Sequence, residues 1–214
     1  MSRFAHLIQP DQGQEARDIQ LVSKSALEDW LKSLPERART AALADRFSGA
    51  PGDYVILPGD KPGDWSAAFG TGNDQSLWDL AAAAKALPEG VYRLANGTPG
   101  PAGLGWMLAH YVYDRYLNKA DATGDRILLT AEPALIAEQA RIAEATALVR
   151  DMVNCPAADL GPSEIQVAIE QLAAEFDAQI HVTRGDDLAS GYPMIHAVGQ
   201  AAERTRAPRL IELE

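Results

Sequence analysis

Short apolar runs fenced by glycine and proline alternate along the chain with stretches whose apolar residues recur every three or four positions, the pattern of an α/β protein. Ile19 to Val22 predicts a strand, and Ser25-Ala26-Leu27-Glu28 after it reads as a capping box opening a helix through Trp30 and Leu34. Tyr54 to Leu57 predicts a second strand, bounded by Pro51-Gly52 and Pro58-Gly59. An Ala-rich third runs from Trp65 to Phe69, followed by a turn at Gly70-Thr71-Gly72-Asn73 and a helix from Ser76 to Leu87. Val91 to Ala95 predicts another strand. The loop Asn96 to Gly103 then launches a helix with Leu104, Leu108, Tyr111 and Val112 on one face, which Asn118 to Gly124 should end.

Arg126 to Thr130 is the clearest strand. Pro133 begins a long Ala-rich helix with Leu135, Ile142 and Val149 one heptad apart, stopping near Asn154 because Pro156 disfavours helical geometry at Cys155. Ser163-Glu164-Ile165-Gln166 reads as a second capping box, opening a helix whose buried face is Ile165, Ile169, Leu172 and Phe176. Ile180 with Val182, Ile195 to Val198, and Leu210 to Leu213 predict three further strands. The organisation expected is an N-terminal mixed-sheet α/β domain over 1–132, a connecting helix over 133–153, and, over 154–214, the incomplete opening βαβ part of a second α/β domain. An apolar strand end at Leu213-Glu214 with nothing predicted to cover it is what suggests incompleteness, since uncovered strands are aggregation hazards.

Composition narrows the class. At 214 residues the length fits one domain or one domain and part of another, and 47% apolar with 23% charged residues is ordinary globular usage. A formal charge of −11 repels phosphate backbones and anionic lipid headgroups, so neither a nucleic acid nor a membrane surface is an expected partner. A single cysteine, Cys155, forbids an internal disulfide and a thiolate zinc site. With no long apolar segment near Met1 or elsewhere, the expectation is a cytoplasmic protein.

Candidate chemistry is sparse. Gly70-Thr71-Gly72 between strand and helix could cradle a phosphate, but a dinucleotide fingerprint needs a glycine where Gln75 stands. The histidines His6, His110, His181 and His196 never fall at the close spacing that puts two imidazoles on one metal, and the adjacent Asp186-Asp187 carboxylates diverge. Cys155 sits at a predicted helix C-terminus, where the dipole disfavours a thiolate, so it reads as a packing residue rather than a nucleophile. Tyr111, Tyr113 and Tyr116 with Trp106 could stack bases, against the acidic field. No residue is therefore assigned as catalytic, cofactor-binding or metal-binding.

From Arg150 to Pro162 the chain reads RDMVNCPAADLGP, which resembles the domain-joining segment R-D-L-V-N-T-P-A-N-x-L-T-P of the leucyl aminopeptidase (cytosol aminopeptidase) family of metallopeptidases, with Cys155 where threonine is common. Ala197-Val198-Gly199-Gln200 and Pro208-Arg209-Leu210-Ile211 are similar to that family's A-V-G-Q-G-S and P-P-R-L-I pair, with Ala201-Ala202 replacing Gly-Ser. Leu108 to Tyr116 is a looser match to an L-x-x-Y-x-F-x-x-Y helix. The resemblance implies an enzyme that removes N-terminal residues from peptides with two divalent metal ions, zinc or manganese, and that assembles as a hexamer. The family takes its metal ligands from G-K-G-x-x-F-D-T-G-G and N-T-D-A-E-G-R runs, and neither occurs between Met1 and Glu214. The expectation is thus that this chain holds no metal and is inactive alone. The alternative is a non-catalytic α/β module binding a ligand or partner through the turns at Gly70 to Gly72 and Gly97 to Gly105.

Overall fold

A computed structural model describes residues 2–73, 76–118 and 124–214. The chain divides into two compact units, Met1–Val149 and Arg150–Glu214. In the first, β1 (Ile8–Pro10), β2 (Arg17–Ser23), β3 (Tyr54–Pro58), β4 (Trp65–Gly72), β5 (Gly90–Leu94) and β6 (Arg126–Thr130) form one mixed sheet in the order β1-β6-β5-β2-β4-β3. All pairs are parallel except β3 with β4. Apolar strands with a helix between parallel neighbours need both faces covered, and both are. On one side α1 (Leu27–Ser33) and α2 (Glu36–Ala44) cover Val22, Val55, Leu57 and Ala68 with Trp30, Leu31, Ala38 and Ala42. On the other, α3 (Asp79–Ala86), α4 (Ala102–Ala109) and α5 (Ile136–Asn154) enclose Ile19, Ala67, Phe69, Tyr92 and Leu128. The alternation of Ala67 and Phe69 against Ala68 assigns each to its face.

Helix α4 is apolar on all sides, as a core helix must be, and Gly103, Gly105, Trp106, Met107 and Leu108 are buried. A Cβ on Gly105 would lie 2.1 Å from the Leu77 carbonyl oxygen, so only glycine lets α4 approach the turn before α3 so closely. The indole N–H of Trp106 donates to the Arg126 carbonyl at 3.0 Å, and the Tyr92 hydroxyl donates to the Pro88 carbonyl at 2.7 Å, so both large aromatics are buried with their polar atoms satisfied.

The second unit holds α6 (Pro162–Phe176), β7 (Ile180–Arg184), α7 (Asp186–Gly191), α8 (Pro193–Gly199) and β8 (Arg209–Leu213). The strands follow the expected order with helices between them, but β7 and β8 pair antiparallel, Val182 opposite Ile211, rather than parallel as a βαβ unit would have them.

Several local expectations give way to structure. Ile195 to Val198 is helical, in α8, because Pro193 at the first helical position presets the backbone; a short apolar run does not distinguish strand from helix. Ser23 rather than Ser25 caps, accepting the Ala26 N–H at 3.2 Å for a 3-10 turn that leads into α1. At α6 the cap is Gly161, whose N–H donates to the Glu164 carboxylate at 2.8 Å and holds that carboxyl below its usual range. In α6, Ile165, Ile169 and Leu172 are half-buried while Phe176 is exposed. Helix α4 ends before Tyr111, leaving Val112 exposed, and most of Asn118 to Gly124 lies outside the described residues. In α5 the face turned to the core is Ala140, Ala143 and Ala147, and the heptad Leu135, Ile142 and Val149 is exposed. Small side chains let the helix lie close against the core, and the larger residues fall on the far side.

Candidate functional site

The joining segment and the downstream pair, far apart in sequence, meet in the second unit. After α5 the Cys155 N–H donates to the Asp151 carbonyl at 3.0 Å, and the Pro156 carbonyl accepts from Asp159 and Leu160 at 2.9 and 3.0 Å, making a tight turn. The Arg206 guanidinium donates to the Ala157 carbonyl at 2.5 Å and to that of Ala158, while Ser163 Oγ donates to the Thr205 carbonyl at 3.0 Å. Arg209 donates to Gln166 at 2.6 Å. Gly199 packs against Pro208, where a Cβ would come within 2.3 Å of the ring. These stretches act on each other's backbone. Cys155 is buried, as a packing residue would be.

The Gly70-Thr71-Gly72 stretch is not an anion turn. It belongs to β4, where the Gly70 and Gly72 N–H groups donate to the Asp53 and Gly49 carbonyls, both at 2.9 Å. Those amides are the ones a phosphate would need. A Cβ on Gly70 would fall 2.2 Å from the Ala50 carbonyl oxygen, so this glycine serves close packing of the 49–53 loop. The aromatic platform is also absent in the form considered: Trp106 is in the core, while Tyr113 and Tyr116 meet edge to face at 6.0 Å.

Two of the four histidines share a pocket. His181 is exposed on β7 and His196 lies in α8, but His6 and His110 both line a cavity of about 290 Å³. It is closed by the N-terminal turn from Arg3 to Leu7, by residues 109–112 and 114 at and beyond the end of α4, and by Asp125 and Arg126 at the start of β6. His6 Nε2 lies 3.2 Å from an Asp125 carboxylate oxygen, and His110 Nδ1 lies 2.9 Å from the Trp106 carbonyl. Burial holds His110 below the usual imidazole range, against a smaller opposing effect of the hydrogen bond to Trp106. His110 Nε2 and Arg126 Nε are buried without a hydrogen-bond partner. No local spacing announces this site, since the topology of β1, β6 and α4 assembles it. A larger groove of about 890 Å³ runs past Glu15, Asp18, Asp60, Lys61 and Asp64, with the Arg17 guanidinium 4.7 Å over the Trp65 ring. None of the buried unpaired polar atoms belongs to its lining.

Among the described residues no three His, Cys, Asp or Glu side chains converge to hold a metal ion. A two-metal hydrolytic centre therefore does not fit the donor set seen here.

The family model described as M17 aminopeptidase, N-terminal domain, matches residues 18–129. The chain belongs to the M17 aminopeptidase family. It is 32% identical over 187 residues to a probable cytosol aminopeptidase of Leifsonia xyli, an alignment covering 78% of this chain and 37% of that protein. Its fold is similar to that of the cytosol aminopeptidase of Coxiella burnetii, with a TM-score of 0.80 at 27% identity over 97% of this chain and 46% of the other. The bottromycin maturation enzyme BotP, in complex with Mn, is similar at a TM-score of 0.70 and 26% identity, over 93% of this chain and 45% of BotP. The chain thus spans less than half the length of each of these proteins.

Proposed function

We propose that this chain is the N-terminal portion of a cytoplasmic M17 aminopeptidase that hydrolyses N-terminal residues from peptides with two divalent metal ions, zinc or manganese, and that works as a hexamer. The observation that carries the reading is the family match over 18–129 together with the 150–162 segment, whose Ala157 and Ala158 carbonyls accept from Arg206. A relative named a cytosol aminopeptidase and a structural neighbour complexed with Mn support the compartment and the metal class. In this reading the first unit is a folded platform, the second is the start of the hydrolytic domain, and the metal ligands belong to the part of the M17 protein that these residues do not match. Two divalent ions, where bound, would activate a water and polarise the scissile carbonyl.

The test is release of leucine from leucyl amide with added Zn or Mn. The 214-residue chain should show none above background, and a longer form carrying the G-K-G-x-x-F-D-T-G-G run should show metal-dependent turnover. Robust metal-dependent release by the 214-residue chain itself would overturn the placement of the active site.

A further inference from the structure

We propose that Asn96 is a self-modifying site, at which the backbone nitrogen of Gly97 attacks the Asn96 carboxamide and converts it to aspartate and isoaspartate, a property outside the peptidase reading and independent of it. The chain has four asparagines, and only Asn96 is followed by glycine. Both residues are exposed, in the bend between the end of β5 and the start of α4. Among the described residues neither the Asn96 carboxamide nor the Gly97 N–H takes part in a hydrogen bond, so nothing holds the attacking nitrogen away from the carbon it must reach. Gly97 has a φ of +78°, and even a Cβ added there would meet nothing within 4 Å. With no side chain of its own and open space around it, its nitrogen is unshielded. The other asparagines lack this combination. Asn154 ends α5, and the N–H after it, that of Cys155, already donates to the Asp151 carbonyl at 3.0 Å, which commits it to the helix. Asn73 and Asn118 precede Asp74 and Lys119, whose side chains crowd the attacking nitrogen.

The step needs only the chain and water. The Gly97 nitrogen gives its proton to a solvent base and bonds to Asn96 Cγ, the Cγ–Nδ2 bond breaks, and ammonia leaves a cyclic imide behind. Water then opens the imide at either carbonyl. Opening at the side-chain carbonyl gives aspartate; opening at the main-chain carbonyl routes the backbone through Cγ, lengthens it by one carbon and frees an α-carboxylate. Either product adds a negative charge to a chain already at −11. The bend has little slack for the longer backbone. Ahead of it the Ala95 N–H donates to the Ile19 carbonyl at 2.8 Å. Behind it the Ala102 N–H donates to the Pro99 carbonyl at 3.0 Å, and Gln139 Nε2 donates to the Gly100 carbonyl at 2.6 Å. The added carbon therefore falls between two tethered points and bears on the first turn of α4.

The experiment is incubation of the folded 214-residue chain at mildly alkaline pH, followed by ammonia measurement and by peptide mapping with electron-transfer fragmentation. Ammonia should appear together with the mass gain of amide-to-acid conversion in the peptide holding Asn96, and an isoaspartate-specific carboxyl methyltransferase should label that same peptide. The rate should rise severalfold with each pH unit, since the attacking nitrogen must lose its proton. Unfolding in urea should change it only severalfold, because the folded bend already exposes the site. Asn96→Gln, a substitution at an exposed position, should abolish the label, since the longer side chain would have to close a larger and slower ring. No conversion at Asn96 over weeks, conversion at Asn154 as fast as at Asn96, label that persists in Asn96→Gln, or a rate that rises by orders of magnitude in urea would each overturn the proposal.

Discussion

Within the first unit Trp106, Tyr92, Leu80 and Leu128 are fully buried, with Phe69 almost so, while in the second Phe176, Met194 and Val198 are 59%, 83% and 89% exposed. Both units draw on similar residue types, so the difference lies in architecture. A six-stranded sheet with helices on both faces closes over its own apolar side chains. A two-stranded ribbon with three helices encloses little, and apart from Cys155 its buried apolar residues are Ala173 and Leu188. Two-stranded ribbons are marginal by themselves, so the second unit's order rests more on hydrogen bonds such as those of Arg206 and Arg209 than on a packed interior.

The largest expected effect is in the closed core. Trp106→Ala removes a fully buried indole and leaves the Arg126 carbonyl without its donor, so it should cost about 3–5 kcal/mol. Amide hydrogen exchange would localise that loss: protection in β4, β5 and β6 should fall, with β7 and β8 little changed. Equal loss in both units would break the contrast drawn between them.

Much of this architecture is readable from pattern. The strands expected at 19–22, 54–57, 91–95 and 126–130 are found within two residues of where punctuation and apolar runs put them. Faces are harder. Leu135, in the 3-10 turn before α5, and Ile142 and Val149 on it form an apolar heptad, yet all three are exposed and the alanines Ala140, Ala143 and Ala147 face the core. The glycines after Phe69 look like a turn in one dimension and prove to be a strand against which the 49–53 loop packs. His6 and His110 come together only through the sheet order that sets β1 beside β6, which no spacing rule reports. The family, by contrast, is legible in the residues of RDMVNCP, while the family model matches 18–129, where the sequence shows only the order of elements.

A smaller effect separates the units by pH. The folded-state pKa of His110 lies below its ordinary 6.5 because of burial, so the unfolded chain takes up the proton first as the pH falls. Its contribution is present above about pH 6.5 and is lost as the pH drops from there through the folded value. Melting of the first unit followed by near-ultraviolet circular dichroism between pH 7.5 and about 5 should show this loss, reduced in His110→Gln. An identical slope in the variant would mean the imidazole is not held neutral by its surroundings.

The smallest effect expected is the most telling about the second unit. Val198 and Met194 stand on α8 with most of their surface in water, so Val198→Ser or Met194→Ser removes no buried contact and should change stability by less than about 0.5 kcal/mol. Each substitution also takes an apolar side chain off the surface, so sedimentation velocity should show the same or less self-association than the wild-type chain. A loss of about 2 kcal/mol in urea unfolding would be a core-like response. It would mean that these side chains are covered in solution, and that the second unit has an interior of its own after all.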